Sequence, residues 1–235
     1  GGESGAQGAT GTSSSSGSRA VPSQVMKIIS KAEATSFEDL KHLNRSIEMH
    51  TLVSSPTWSH PNIAALHGVF HAEHHLCFLM EHAGRSTLYQ WLEAKGASQA
   101  SLGEIETPHP EHELRRIITQ VTCVIAHLHV GPRVCHCDIR PDNYRVQGEG
   151  SEIVVKLVDF DLACVQDPGN FCRIKAGTIP FVAPEVILTD EYDGFCADAW
   201  SLGVTLLEIL CGVRIVERLL GVDGGVRGST SAVSA

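Results

Sequence analysis

The segments "HCDIRPDN" at residues 136–143 and "LVDFD" at residues 157–161 contain the side chains best suited to chemistry. Asp138, Arg140 and Asn143 lie in the first segment, and Asp159 lies in the second. Phosphoryl transfer needs a group that orients a hydroxyl, a positive charge for the moving phosphate, and oxygen ligands for magnesium. The sequence therefore predicts a phosphoryl-transfer site in which Asn143 and Asp159 bind magnesium.

Regular elements on either side must position these two segments. Pro110 suits a first helical turn, and apolar residues at helical spacing predict a long helix that ends near Gly131. The β-rich run "EIVVKLVDF" predicts a strand that leads into Asp159. Further along, the apolar run from Trp200 to Val216 predicts a buried helix.

The residues before the long helix predict a smaller, strand-rich part. "QVMKII" is typical of a short strand, and a helix is expected after Ser36, which forms a capping-box-like pair with Asp39. "IAALHGVF" and "HLCFLMEH" predict two strands around a His-rich turn, and "STLYQWLEA" predicts a short helix. A strand-rich part followed by a mainly helical part indicates an α+β fold.

Composition limits the possible partners. The formal net charge is −9 and Lys and Arg are not clustered, which argues against a nucleic-acid surface. No apolar run reaches the roughly 20 residues of a membrane-spanning helix, so no membrane partner is expected. The eight cysteines show no repeated C-x-x-C spacing and there is no signal peptide, so we expect a reduced intracellular location, cytoplasmic or nuclear. The oligomeric state stays open.

Six motifs follow one another in a recognisable order. They are Lys27 in "VMK", "HPNI" at 60–63, "HCDIRPDN", "DFD" at 159–161, "GTIPFVAPE" at 177–185 and "DAWSLG" at 198–203. In this order and spacing the chain resembles the protein kinase family from about Lys27 to about Gly212. The resemblance implies a bilobal fold, with an N-lobe at 24–83 and a partial C-lobe at 84–220 that lacks its last helices. Flexible Gly/Ser-rich segments are expected at 1–23 and 221–235.

The resemblance also implies roles for individual residues in the C-lobe. Asp138 would be the catalytic base, and Arg140 would replace the usual lysine near the transferred phosphate. Asn143 and Asp159 would hold Mg²⁺. Asp198 would brace the catalytic loop.

For the nucleotide, the resemblance implies that Lys27 contacts the phosphates of ATP and that Glu48 is its partner on the first helix. Glu48 could also be a solvated helix-face charge. The hinge would follow Met80, with backbone groups of Glu81 and Ala83 offered to adenine. An apolar column that couples the two lobes would contain Leu52, Leu66, His136 and Phe160.

The sequence departs from the family pattern at several positions. Cys137 replaces the arginine that grips a phosphate on the activation loop, and Asp161 replaces a glycine, adding a carboxylate that could compete for or supplement the metal. Arg145 falls where an apolar floor under adenine is usual, and Thr87 where an acidic residue often meets the ribose. Gly8 to Gly11 could be a poor phosphate loop, but a linker is the favoured interpretation.

The expected activity is that of an ATP- and Mg²⁺-dependent serine/threonine protein kinase acting on a protein substrate. The alternative is a pseudokinase that serves as a binding or scaffold module. A small-molecule kinase is a third option, against which "GTIPFVAPE" argues, since it resembles a docking loop for protein substrates.

Overall fold

The computed structural model describes residues 23–94, 109–219 and 221. The predicted flexible segments, apart from residues 23 and 221, and the Gly8 to Gly11 segment lie outside this part of the chain. The fold is α+β, with a strand-rich N-terminal part and a mainly helical C-terminal part.

The N-terminal part is an antiparallel sheet with one helix. It contains β1 (Gln24–Ser30), α1 (Phe37–Val53), β2 (Leu66–His71) and β3 (His75–Glu81), and the strand order is β1-β3-β2. The Ser36 side chain accepts a hydrogen bond from Asp39 N, and the Asp39 carboxylate accepts one from Ser36 N. The predicted capping box is therefore confirmed, and it fixes where α1 begins.

The C-terminal part is mainly helical, with two small sheets. Its elements are β4 (Ser86–Thr87), α2 (Leu88–Ala94), α3 (Glu111–Val130), β5 (Val134–Cys135), β6 (Tyr144–Gln147), β7 (Val154–Leu157), β8 (Cys164–Val165), α4 (Pro184–Leu188), α5 (Gly194–Cys211) and α6 (Ile215–Leu219). One sheet has the order β4-β6-β7, and the other pairs β5 with β8. The predicted lobe boundary at residue 83 falls between β3 and β4.

Helix α3 forms the centre of the C-terminal core. Most of the apolar face predicted from its periodicity is buried, at Leu114, Ile117, Val121, Val124, Ile125 and Leu128, and Ile118 is partly buried against the same core. Burying one such side chain contributes about 1.5–3 kcal/mol relative to leaving it exposed. Pro110 is the N-cap rather than part of the first turn, and Gly131 is the C-cap. This rigid helix carries the loop that follows it.

Strand β2 begins later than the sequence predicts. The backbone before it bonds to the other part of the fold, because Ala64 N donates to Leu157 O (3.0 Å) and Leu157 N donates to Asn62 O (2.8 Å). Regular pairing with β3 therefore starts at Leu66 rather than at Ile63. These bonds connect the two parts of the fold behind the site.

Helix α5 has two different faces. Asp198, Thr205 and Glu208 are buried, whereas Trp200 and Leu207 on the opposite face are exposed. The predicted helix from Trp200 to Val216 thus starts earlier, at Gly194, stops at Cys211, and is only partly buried. Within the described residues it alone is long and apolar enough to cross a membrane, a test that the core helices of folded domains also pass.

Candidate active site

A cavity of about 590 Å³ lies between the two parts of the fold, within the range of small-molecule sites. The sheet, α1, the connection after β3, and the loops around β6 and β7 all contribute to its lining. Among the residues that line it are Val25, Lys27, Ser46, His50, Glu81, Ala83, Gly84, Asp142, Asn143, Arg145, Asp159 and Asp161.

The loop between β5 and β6 holds Asp138 in a fixed orientation. Thr178 Oγ1 donates to Asp138 Oδ1 (2.9 Å), and Asn143 Nδ2 donates to Asp138 Oδ2 (2.7 Å). Asn143 Nδ2 also donates to the Asp138 carbonyl (2.7 Å). The structure therefore places the predicted base beside a predicted metal ligand and the threonine of "GTIPFVAPE".

Asp198 braces the same loop from α5, as expected. Its buried carboxylate accepts hydrogen bonds from the backbone of His136 (2.8 Å) and Cys137 (2.9 Å). His129 Nε2 lies 2.9 Å from the same carboxylate. Cys137 has a φ of 62°, an unfavourable value for a side-chain-bearing residue, and these bonds offset part of that cost.

Lys27 contacts two carboxylates on the wall of the cavity. Its Nζ lies 3.1 Å from Asp159 Oδ1 and 2.6 Å from Asp161 Oδ2. Ser46 Oγ donates to Asp161 Oδ1 (2.5 Å), which holds Asp161 from the helix side.

These contacts shift the pKa of Lys27 and the pKa of Asp161. Burial opposes the charged form of Lys27, but Asp159 and Asp161 outweigh burial and raise the pKa of Lys27. Burial likewise opposes ionised Asp161, yet Lys27 and Ser46 lower the pKa of that carboxyl. Both side chains are therefore charged at neutral pH.

The connection after β3 offers backbone groups to the cavity. Glu81 N donates to Ala65 O (2.8 Å), and the Glu81 carboxylate pairs with Lys156 (2.8 Å). The backbone N–H and the side chain of Glu81 are therefore both occupied by contacts within the protein. Ala83 lines the cavity, and its backbone bonds to no other described residue. Gly84 has a φ of 134°, and a Cβ there would lie 2.3 Å from Val146 O. Only glycine lets the connection pass this close to β6.

Comparison with known proteins identifies this arrangement. The sequence model of the protein kinase domain matches residues 7–221. The chain belongs to the protein kinase family. Because the match begins at residue 7, it includes Gly8 to Gly11, whose interpretation as a linker or a phosphate loop stays a prediction.

Relatives of this kinase domain include serine/threonine kinases. An Aurora kinase of Candida glabrata is 31% identical over 192 residues, covering 82% of this chain and 48% of the relative. Sperm motility kinase 3A of Mus musculus is 34% identical over 153 residues, 65% of this chain and 27% of the relative. The probable serine/threonine-protein kinase MARK-A of Dictyostelium discoideum is 29% identical over 187 residues, 80% of this chain and 16% of the relative. The chain thus spans half or less of the length of these relatives.

The predicted partner of Lys27 on α1 is wrong. Glu48 is exposed and accepts a hydrogen bond from Asn44 on its own helix (2.5 Å), and it forms no ion pair with Lys27. Ser46, two residues earlier, faces the site instead. Two residues correspond to a rotation of roughly 200° around an α-helix, which places Glu48 on the outer side.

On α1 the residue that faces the site, Ser46, is two positions earlier than predicted, and a histidine two positions before the predicted Leu52 lies in the apolar column of the kinase fold. His50 packs on Phe160, with ring centroids 5.1 Å apart. The predicted Leu52 is partly buried against the core cluster that includes Phe160. His136 packs on Phe160 from the other side, at 5.2 Å, as the sequence predicts. Ser46 and His50 are four residues apart and so share one helix face. This spacing could have indicated from the sequence that Ser46 and His50 face the site together, but serine and histidine are not residue types expected at these positions.

Arg140 and Arg145 lie at different places relative to the cavity. Arg140 Nη2 lies 3.5 Å from Asp142 Oδ2, and Arg140 is not among the residues that line the cavity. Arg145 does line the cavity, where an apolar floor was expected. Thr87 Oγ1 accepts a hydrogen bond from Gln90 N (3.0 Å) at the start of α2, so this side chain has a structural contact.

Proposed function

We propose that this domain is an ATP- and Mg²⁺-dependent serine/threonine protein kinase that transfers the γ-phosphate of ATP to a protein hydroxyl. The observation that carries the proposal is the fixed orientation of Asp138 by Thr178 and by Asn143, which itself lines the cavity that contains Lys27 and Asp159. The names of the serine/threonine kinase relatives support the class of acceptor.

Each group has a role in the proposed reaction. Asp138 orients the acceptor hydroxyl and accepts its proton, while Lys27 binds phosphate oxygens of the nucleotide. Asn143 and Asp159 offer the amide and carboxylate oxygens that Mg²⁺ prefers, and both line the cavity. When bound, Mg²⁺ neutralises the charge that develops on the phosphates.

The edges of the proposed nucleotide site are less regular. Ala83 offers its free backbone groups to the adenine edge, and the guanidinium of Arg145 stacks on the base instead of an apolar side chain. Arg140 reaches the transferred phosphate only if it leaves Asp142.

A second candidate function is a scaffold that binds partners without phosphotransfer. One observation favours it: Lys27 is already paired with Asp159 and Asp161, so phosphates and Mg²⁺ must compete with ion pairs inside the protein.

Two measurements on the whole chain distinguish these functions. Transfer of labelled phosphate from ATP to mixed Ser/Thr peptides tests catalysis, and a thermal shift on adding ATP with Mg²⁺ tests binding. For a kinase we expect both signals, with Asp138→Asn abolishing transfer while keeping the thermal shift. Asp167→Asn is the matched control, because Asp167 is exposed and its side chain has no assigned contact. A thermal shift without transfer would support the scaffold.

A further inference from the structure

Four cysteine side chains from three separate segments meet beside the catalytic loop. Cys135 and Cys137 lie on either side of His136, Cys164 starts β8, and Cys172 lies in the segment that follows. Cys137 Sγ is 3.9 Å from Cys164 Sγ, which is 3.3 Å from Cys172 Sγ. These three sulfur atoms all lie within 4.8 Å of one another.

Cys135 is the fourth member of this cysteine cluster. It is fully buried and pairs directly with Cys164 across β5 and β8. A Cβ built at Gly194 would lie 2.6 Å from Cys172 Sγ and 2.7 Å from Cys135 Sγ, so both sulfur atoms lie beside the start of α5. Cys135 is nevertheless not one of the three cysteines whose sulfur atoms all lie within 4.8 Å of one another.

We propose that the cysteine cluster, Cys135, Cys137, Cys164 and Cys172, binds one Zn²⁺ ion with four thiolate ligands. Cys137, Cys164 and Cys172 already lie together, and Cys135 moves towards them as the fourth ligand when the metal binds. Zinc–sulfur bonds of about 2.3 Å in a tetrahedron set the sulfur atoms about 3.8 Å apart. The observed 3.3 and 3.9 Å lie close to this spacing, whereas a disulfide bond is only about 2.05 Å long. Soft thiolate ligands in tetrahedral geometry select zinc over magnesium or calcium.

The surroundings of the cysteine cluster suit a negatively charged centre. Four thiolates and one Zn²⁺ carry a net charge of about −2, and the first turn of α5 begins at Gly194, directly over the sulfur atoms. The positive end of a helix dipole stabilises nearby negative charge. Gln166 Oε1 lies 3.3 Å from Cys172 Sγ and 3.7 Å from Cys135 Sγ, and it also accepts a hydrogen bond from Gly194 N. The Gln166 oxygen accepts hydrogen bonds from the thiol forms of these two cysteines, so it positions their sulfur atoms before the metal binds, and these bonds are lost when the thiols become thiolates.

The metal would connect parts of the chain that are distant in sequence. Cys135 and Cys137 belong to the catalytic loop, whereas Cys172 belongs to the segment between "DFD" and "GTIPFVAPE". Cys137 stands at the position where the resemblance implies a phosphate-gripping arginine, and residues 162–177 contain no Ser, Thr or Tyr. Zinc would therefore fix this segment without phosphorylation. The site does not depend on phosphotransfer, so its test is independent of the proposed function.

The test starts with the whole chain, purified under reducing conditions without added metal. Elemental analysis is expected to find one zinc per chain, and Co²⁺ exchanged into the protein is expected to show tetrahedral d–d bands with thiolate-to-cobalt charge transfer. Cys137→Ser and Cys164→Ser are expected to remove most of the zinc. Cys123→Ser and Cys196→Ser are the controls, because both cysteines are exposed and lie outside the cluster.

Three results would overturn the site. They are wild-type protein without zinc and without the thiolate–cobalt spectrum, zinc that persists in Cys164→Ser, or zinc lost equally from the two control variants. A disulfide among the four cysteines in the freshly purified chain, found by mass spectrometry without reduction, would also contradict the zinc site, because oxidised cysteines cannot bind the metal as thiolates. Because the cobalt spectrum is measured on the wild-type chain, the test does not depend on a variant that folds.

Discussion

Asp161 Oδ2 lies 2.6 Å from Lys27 Nζ, closer than the 3.1 Å between the same nitrogen and Asp159 Oδ1. Ser46 Oγ, on α1, holds the other oxygen of Asp161. The carboxylate that pairs with Lys27 therefore comes from the loop after β7, and the helix contributes only a hydroxyl. In the proposed magnesium complex, Asp161 would still hold Lys27 if Asp159 turned towards the metal.

We expect Asp161→Asn to weaken ATP binding about fivefold. This factor corresponds to ~1 kcal/mol, the upper end of the range measured for exposed ion pairs. The amide keeps the shape but not the charge that positions Lys27. Adding Ser46→Glu to this variant is expected to restore binding, because residue 46 faces Asp161 and Lys27 across the cavity. Titration calorimetry with ATP and Mg²⁺ measures both effects.

Ser46→Gln in the Asp161→Asn background is the matched control for the rescue, since it adds length without charge. Equal recovery with Gln and Glu would show that a carboxylate at this place is not what Lys27 requires.

Acid is expected to remove the contribution of Asp161 to folding stability. The pKa of this carboxyl is lowered below the ordinary 3.8, so its contribution is complete above 3.8 and disappears as the pH falls through the lower folded value. The difference in melting temperature between wild type and Asp161→Asn should therefore be constant from pH 7 to about pH 5 and shrink below pH 4. Scanning calorimetry across this range checks it. If the difference in melting temperature grew on acidification, the proposed lowering of the Asp161 pKa in the folded state would be contradicted.

The hydroxyl of Thr178 is expected to matter for catalysis through Asp138. Thr178→Val removes the hydrogen bond to Asp138 Oδ1 and should lower kcat roughly tenfold or more, since bonds to charged groups contribute ~1.5–3 kcal/mol. Thr178→Ser keeps the hydroxyl and should retain most activity. Steady-state kinetics, with KM for ATP nearly unchanged in both variants, separates this role from nucleotide binding.

The exposed face of α5 is expected to bind dyes that recognise apolar surface. Trp200 and Leu207 lie on this face, and Trp200 is 49% exposed. Leu207→Ser should reduce the dye signal and change the free energy of unfolding by less than about 0.5 kcal/mol. Ile209→Ala, on the buried face, should cost about 2–5 kcal/mol. Dye fluorescence and urea unfolding test the pair, and equal losses of stability would show that both faces are covered.

Activity is expected to be independent of phosphorylation between Leu162 and Gly177, because this segment has no hydroxyl-bearing side chain. Phosphatase treatment should leave the rate of phosphotransfer unchanged. Stoichiometric phosphate at Thr178 together with phosphatase-sensitive activity would contradict this expectation.

Elements with strong local signals could be predicted from the sequence. The capping box of α1 and the apolar face of α3 appear in the structure as expected, because both depend on residues three or four positions apart. Asp138 and Asn143 belong to one short motif, and their contact follows from it.

Features that depend on the packing of distant segments could not be predicted. The predicted partner of Lys27, Glu48, was wrong because tertiary contacts such as His50 on Phe160 turn Ser46 rather than Glu48 towards the site, and the carboxylates that pair with Lys27 are Asp159 and Asp161. The cysteine cluster shows no local spacing signal, since Cys164 and Cys172 reach Cys137 only through the pairing of β5 with β8. Sequence periodicity indicates which residues share a face, but not which face meets which segment.

Two backbone amides in the loop before Asp138, those of His136 and Cys137, donate to the single buried carboxylate of Asp198. Hydrogen exchange at such amides requires separation from their acceptor, so both should exchange together and only when α5 moves away from the loop. The exchange rate of these two amide protons would then report how often the base loses its alignment in the native ensemble. A fluctuation of the first turns of α5, where Asp198 lies, would then disturb the loop that orients Asp138.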